Sequence, residues 1–148
     1  MASTSSATSS TSATGDPSQQ PILTANSQQN MRNFRKYDAW QNALQVVETI
    51  YRLTKCFPED EKYGLTNQVR RAAVSIASNI AEGASRESEV DFARFLEISL
   101  GSAFEVETQI LIANQLGYVT AENYEPLLNQ LTILQKQINS LISKIRQK

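Results

Sequence analysis

The chain has 148 residues, room for one ordinary domain, and 41% of them are hydrophobic, enough for a globular core. Fourteen Lys and Arg against fifteen Asp and Glu leave a net charge of −1, which excludes a general nucleic-acid coat but permits a local basic patch. With no histidine and one cysteine, Cys56, the chain lacks the means for Ser-His-Asp or Cys-His catalysis, His-ligated zinc, a Glu-x-x-His di-iron bundle or an internal disulfide.

Residues 1–30 hold eight Ser, five Thr, four Gln and two Asn, with no aromatic residue and a single charge, Asp16. Met1, Ile22 and Leu23 are the only large apolar side chains there. Such a segment cannot bury enough surface to offset the entropy of ordering it, so a disordered Ser/Thr-rich tail is expected over 1–30. It lacks the basic and apolar regions of a secretory signal. The Met-Ala-Ser start resembles a plastid transit peptide, but no Arg precedes Arg32, and a plain solvated tail is the first reading. No apolar run approaches the ~20 residues that span a bilayer, and a cytoplasmic location is expected.

All the aromatic residues lie in 31–148, and helical periodicity runs through that region. A first helix is expected from Asp38, as N-cap, to Phe57, where Pro58 disfavours continuation. Its seam is Trp40, Ala43, Val47, Ile50, Thr54 and Phe57, with Leu44 and Tyr51 widening one flank and Val46 and Leu53 the other. An acidic loop over 58–65 leads to a second helix, capped by Thr66 and stopped by Gly83. Ser88, with Asp91 three residues on, caps a third helix over 89–116 that Gly117 closes. The fourth carries the cleanest pattern, Leu127, Leu131, Leu134, Ile138, Leu141 and Ile145. Thr120 would cap it, and Pro126 implies a kink or a restart near Asn123. Four amphipathic helices with short links pack most simply as an all-α, up-down-up-down antiparallel four-helix bundle over 31–148.

The chemistry-bearing motifs are absent: no phosphate-binding glycine loop, Cys-x-x-Cys pair, Ser-x-x-Lys or calcium loop occurs. No catalytic residue, cofactor or metal site is expected, and the protein reads as a non-enzyme. The acidic groups Glu59-Asp60-Glu61 and Glu87/Glu89/Asp91 read first as solvated charge, the second favoured by a helix N-terminus. Cys56 beside Lys55 reads as an inert small core residue rather than a reactive thiol.

Three surfaces stand out. On the second helix Gln68, Arg71, Ser75, Asn79 (or Ser78) and Glu82 recur at helical spacing. Rich in Ser, Asn and Gln, this stripe reads as a buried polar network, with Glu105 or Glu107 as partner of Arg71; a ligand site is the second reading. The third helix is apolar in more directions than one bundle core can use, and Gly101 costs it about 1 kcal/mol relative to Ala. Leu100, Gly101 and Phe104 are therefore the candidate oligomer interface. From Pro126 onward the charges are Lys136, Lys144, Arg146 and Lys148, with no acid. Dipole complementation is the plain reading; the sharper one is a phosphate-binding strip.

The segments Tyr37–Ala43, Glu61–Thr66, Gln68–Ile76, Asn79–Gly83, Gly101–Gln109 and Leu116–Tyr118 together resemble bacterial four-helix-bundle proteins encoded in intervening sequences of large-subunit ribosomal RNA genes. More distantly the chain is similar to the accessory variability determinant of diversity-generating retroelements. The resemblance spans about residues 33–148 and implies a barrel-like homopentamer without catalysis. For the retroelement relatives it implies binding of a reverse transcriptase and its RNA through basic surfaces. The expected role is thus a non-enzymatic oligomeric adaptor, with structured RNA, a reverse transcriptase, or both as partners. The alternative is a structural or protein-interaction oligomer with no nucleic-acid role. Candidate nucleic-acid contacts are Lys136, Lys144, Arg146, Lys148 and Arg70, with Arg32, Arg35 and Lys36 as further bases.

Overall fold

The computed structural model describes residues 32–147; the expectations for 1–30 and for Lys148 lie outside them. Among the described residues there are four long helices and no strand: α1 Asp38–Leu53, α2 Leu65–Ala84, α3 Glu89–Gln115 and α4 Ala121–Arg146. Single 3-10 turns occupy Phe34–Lys36, Thr54–Cys56 and Glu59–Glu61. Each long helix packs on its neighbours in the chain, and α1 also packs on α4, so the four surround one aliphatic core. The fold is an all-α helical bundle.

Where the helices begin and end differs from the sequence reading at several points. Asp38 is the first residue of α1, not its cap; the cap is Tyr37, whose carbonyl accepts from Trp40 and Gln41. The Asp38 carboxylate thereby sits in the first turn, where the macrodipole favours it. α1 stops at Leu53 because Thr54 turns its hydroxyl back to the Ile50 carbonyl, 2.7 Å away, and the chain tightens into a 3-10 turn. By Phe57 the backbone is extended (ψ 151°), as a residue before proline must be.

Thr66 does not cap α2. The Glu61 carboxylate does so from the preceding turn, accepting from the Leu65 N–H at 2.9 Å. Nor does Gly83 stop it: Gly83 is buried inside α2. A Cβ there would lie 2.6 Å from Cβ of Phe95 and 3.1 Å from the Phe92 ring, so this glycine lets α3 approach. α3 is capped as expected, Ser88 Oγ accepting from the Asp91 N–H at 2.9 Å. It closes at Gly117 (φ +82°), with the Tyr118 N–H bonded to the Ala113 carbonyl in a Schellman pattern. α4 starts at Ala121 after Thr120, does not restart at Asn123, and takes Pro126 into its interior.

Inward faces follow the periodicity with one rotation and one drift. On α1, Ala43 and Ile50 are fully buried, but Ala39, Val46 and Leu53 take the remaining inner places and Trp40 and Val47 are only half-buried. On α4, Leu127, Leu131, Leu134, Ile138 and Ile145 are buried as expected, while Ile142 replaces Leu141. A helix of 3.6 residues per turn drifts off a strict heptad, so the seam must slip over about seven turns.

Arg32 straps the segment before α1 to the α2–α3 turn. Its guanidinium donates to the Ala84 carbonyl at 3.3 Å and to that of Arg86, pairs with Glu89, and lies 4.5 Å from the Phe92 ring centre. Burial holds the nearby Tyr37 hydroxyl above its usual pKa; Arg32 opposes that shift and Glu89 adds to it.

Candidate functional site

The outer side of α3 is the largest departure from an ordinary solvated helix. Its inner side buries Phe92, Leu96, Ala103, Val106 and Ile110. Val90, Ile98, Phe104, Leu111 and Ile112 are nevertheless exposed, Phe104 to 51%. Leu100 is half-buried against the core. Gly101 is exposed, and a Cβ built on it meets nothing within 4 Å. Within the single chain nothing requires glycine there.

The polar stripe of α2 is only partly joined. The Ser75 hydroxyl lies 2.9 Å from that of Ser102 on α3, and the Asn79 amide donates to Ser75 Oγ at 2.9 Å and to the Ser75 carbonyl at 2.8 Å. Gln68, Arg71, Glu82 and Glu105 are exposed, so the charged members are not buried within one chain. Glu82 pairs locally with Arg86 at 3.1 Å, and no ion pair links Arg71 to Glu105 or Glu107 among the described residues. Glu105 instead accepts from the Gln109 amide at 3.3 Å, and Glu107 accepts from Gln135 of α4 at 2.8 Å. Sequence reasoning missed Ser99, Ser102 and Gln109, all buried on α3. Ser99 donates to the Ile76 carbonyl at 2.8 Å. Gln109 Oε1 is buried and has no hydrogen-bond partner among the described residues. The legible signal was three polar residues at helical spacing on the side of α3 that also carries Phe92 and Val106.

The basic candidates separate into committed and uncommitted groups. Arg70 donates to Thr54 Oγ1 at 2.8 Å and covers the Tyr51 ring at 4.5 Å. Arg146 pairs with Glu97 at 2.8 Å. Lys136 and Lys144 are exposed, make no ion pair among the described residues, and line one open groove of about 340 Å³ between α4 and the start of α1. The groove's other lining includes Tyr37, Asp38, Gln137 and Ser140.

Among the described residues no three His, Cys, Asp or Glu side chains converge as a metal site. Glu61 is occupied as a link: the Leu65 N–H, and secondly the Tyr118 hydroxyl 2.8 Å away, hold its carboxyl below the usual range. Donating to that carboxylate holds the Tyr118 hydroxyl above its usual range. Asp91 pairs with Arg94 at 3.3 Å. Cys56 is exposed, not the core residue expected, because the 3-10 turn after Leu53 rotates it outward. No described helix is long and apolar enough to cross a membrane.

Residues 35–140 match the 23S rRNA-intervening sequence protein family. The chain belongs to that family. A member of the S23 ribosomal protein family from Bacteroides thetaiotaomicron, described as of unknown function and solved at 1.70 Å, is similar in fold with a TM-score of 0.65. It is 30% identical, and the match covers 70% of this chain and 97% of that one. No curated protein matches. The matched segment spans all four helices up to Ser140, so it takes in the exposed face of α3 and most of the basic groove.

Proposed function

We propose that this family member is a non-enzymatic adaptor: an up-down-up-down four-helix bundle that assembles with copies of itself in the cytoplasm and binds structured RNA. The family's description, which names an intervening sequence of 23S rRNA, supports RNA as the partner class, and the distant retroelement resemblance suggests a reverse transcriptase as protein partner and five as the number of copies. Contact pairs that run in opposite directions support the alternating topology. Ser75 meets Ser102 and Ile76 meets Ser99 across α2 and α3; Glu107 meets Gln135 and Glu97 meets Arg146 across α3 and α4.

The observation that carries self-association is the apolar outer face of α3 around Gly101. Exposed apolar side chains scattered singly need no explanation, but five large ones on the outer side of one helix, before and after Gly101, support an interaction surface. A purely structural oligomer is the second reading, favoured by the near balance of charge and by the commitment of Arg70 and Arg146 to intramolecular partners.

Light scattering at micromolar concentration is the test. The expected mass is several times 16.5 kDa, fivefold for a pentamer; a monomer overturns self-association. Phe104→Glu should return the mass to that of one chain with the helical circular-dichroism signal kept. Unfolding of that variant would instead make Phe104 a core residue.

A further inference from the structure

We infer that the groove between α4 and the start of α1 is a track for phosphates in series, with Lys136, Gln137, Ser140 and Lys144 as its donors. This rests on the RNA partner proposed above and names the surface that takes it. Lys136, Ser140 and Lys144 follow one another at four-residue intervals, so they form a single row along α4. The outer two are separated by about 12 Å of helix rise. That spread suits a ligand carrying successive phosphates better than a single ion.

The donors are uncommitted. Gln137 accepts from the Asn42 amide through its Oε1 at 2.7 Å, which occupies its acceptor and not its amide N–H donors. Neither lysine has an ion-pair partner among the described residues, whereas Arg146 and Arg70 are held by Glu97 and by Thr54. Lys136 and Lys144 share one concave surface, which neither Arg70 nor Arg146 lines among the described residues. Among the described residues the one acid lining the groove is Asp38, across from the lysines. Its carboxylate lowers the local field, so it weakens polyanion binding and makes a sensitive control.

Fluorescence anisotropy with a labelled structured RNA, titrated with salt, tests the assignment. Lys136→Gln/Lys144→Gln should lower the salt slope by about 1.4 to 1.8, two contacts at roughly 0.7 to 0.9 each. Lys55→Gln/Lys62→Gln carries the same charge change on exposed residues outside the groove, and should lower it less. Asp38→Asn should tighten binding, and Asp60→Asn should not. If the two lysine pairs behave alike, bulk charge accounts for binding and the groove is overturned while the RNA reading survives. If the wild type binds no RNA at low ionic strength, the RNA reading fails with it. Binding of inorganic polyphosphate without RNA, lost in the Lys136/Lys144 variant, would keep the track and replace its occupant. All four lysines are exposed, so circular dichroism should show each variant folded.

Discussion

α3 and α4 are nearly equal in length, 27 and 26 residues, yet they relate to the core in opposite ways. α4 puts its Leu and Ile inward and leaves Lys, Gln, Asn and Ser to solvent, with Ile133 as its exposed large apolar side chain. α3 fills its inner side as well, then carries five large apolar side chains outward. One helix is satisfied by its own chain. The other has apolar surface to spare, and the self-association proposed above rests on that difference.

The sharpest way to break this contrast is to truncate one side chain from each helix. Leu134 is fully buried, so Leu134→Ala should cost about 2–5 kcal/mol in urea denaturation. Phe104→Ala, at a concentration where the chain is monomeric, should cost under about 1 kcal/mol, as surface substitutions do. At concentrations that favour assembly the Phe104 variant should lose stability relative to wild type. Equal losses for the two monomeric variants would erase the distinction between the faces.

The two mid-helix glycines sharpen it further. Gly83→Ala pushes a Cβ into Phe95 and Phe92, so overpacking of about 1–3 kcal/mol should outweigh the gain in helix propensity. Gly101→Ala meets open space and should stabilise the isolated chain by about 1 kcal/mol. If another backbone packs over Gly101, the same change should weaken assembly while raising monomer stability. Thermal melts combined with light scattering read both signs. No loss of assembly in Gly101→Ala would move the interface elsewhere on α3.

What the sequence made legible was what repeats. Four helices, the α4 seam apart from Leu141, the Ser88 cap and the Gly117 close all come from local spacing, and all are present. The α1 face is rotated because Trp40 and Val47 on one side and Val46 and Leu53 on the other are equally apolar. Periodicity alone could not choose between them. Two other features depend on chain beyond the element itself: Gly83 yielding to Phe95, and Arg32 reaching Ala84 and Glu89. No local signal carries those. The candidate site was half legible: the lysines of α4 were found by charge, but the groove needs α1 beside them, and only the fold shows Arg70 and Arg146 already engaged.

Arg71 divides the same two surfaces by a smaller effect. A buried pair losing one member costs about 3–5 kcal/mol, whereas an exposed charge is worth under about 1. Arg71 is exposed and lacks an ion pair to α3 among the described residues, so Arg71→Ala should be nearly neutral in the monomer. A large loss that appears only on assembly would place Arg71 at a subunit contact.

The smallest effect lies where the end of α3 is tied to the connection between α1 and α2. The Glu61 carboxyl is held below its ordinary pKa, so its stabilisation is present above that value and is lost as pH falls through the depressed one. Tyr118 is held above its own, so its stabilisation is present below about pH 10 and is lost as pH rises through the raised value. Stability should therefore decline slightly at both extremes. Tyr118→Phe removes the alkaline loss from this link but leaves the Leu65 N–H, the larger cause of the Glu61 shift, so the acid decline should persist. Tyr37, raised by burial, should still give a residual alkaline loss in that variant. Melting temperatures across pH read both limbs. An alkaline limb unchanged by Tyr118→Phe would assign the whole of it to Tyr37 and the strap at Arg32, and would leave the Glu61–Tyr118 bond without a part in stability.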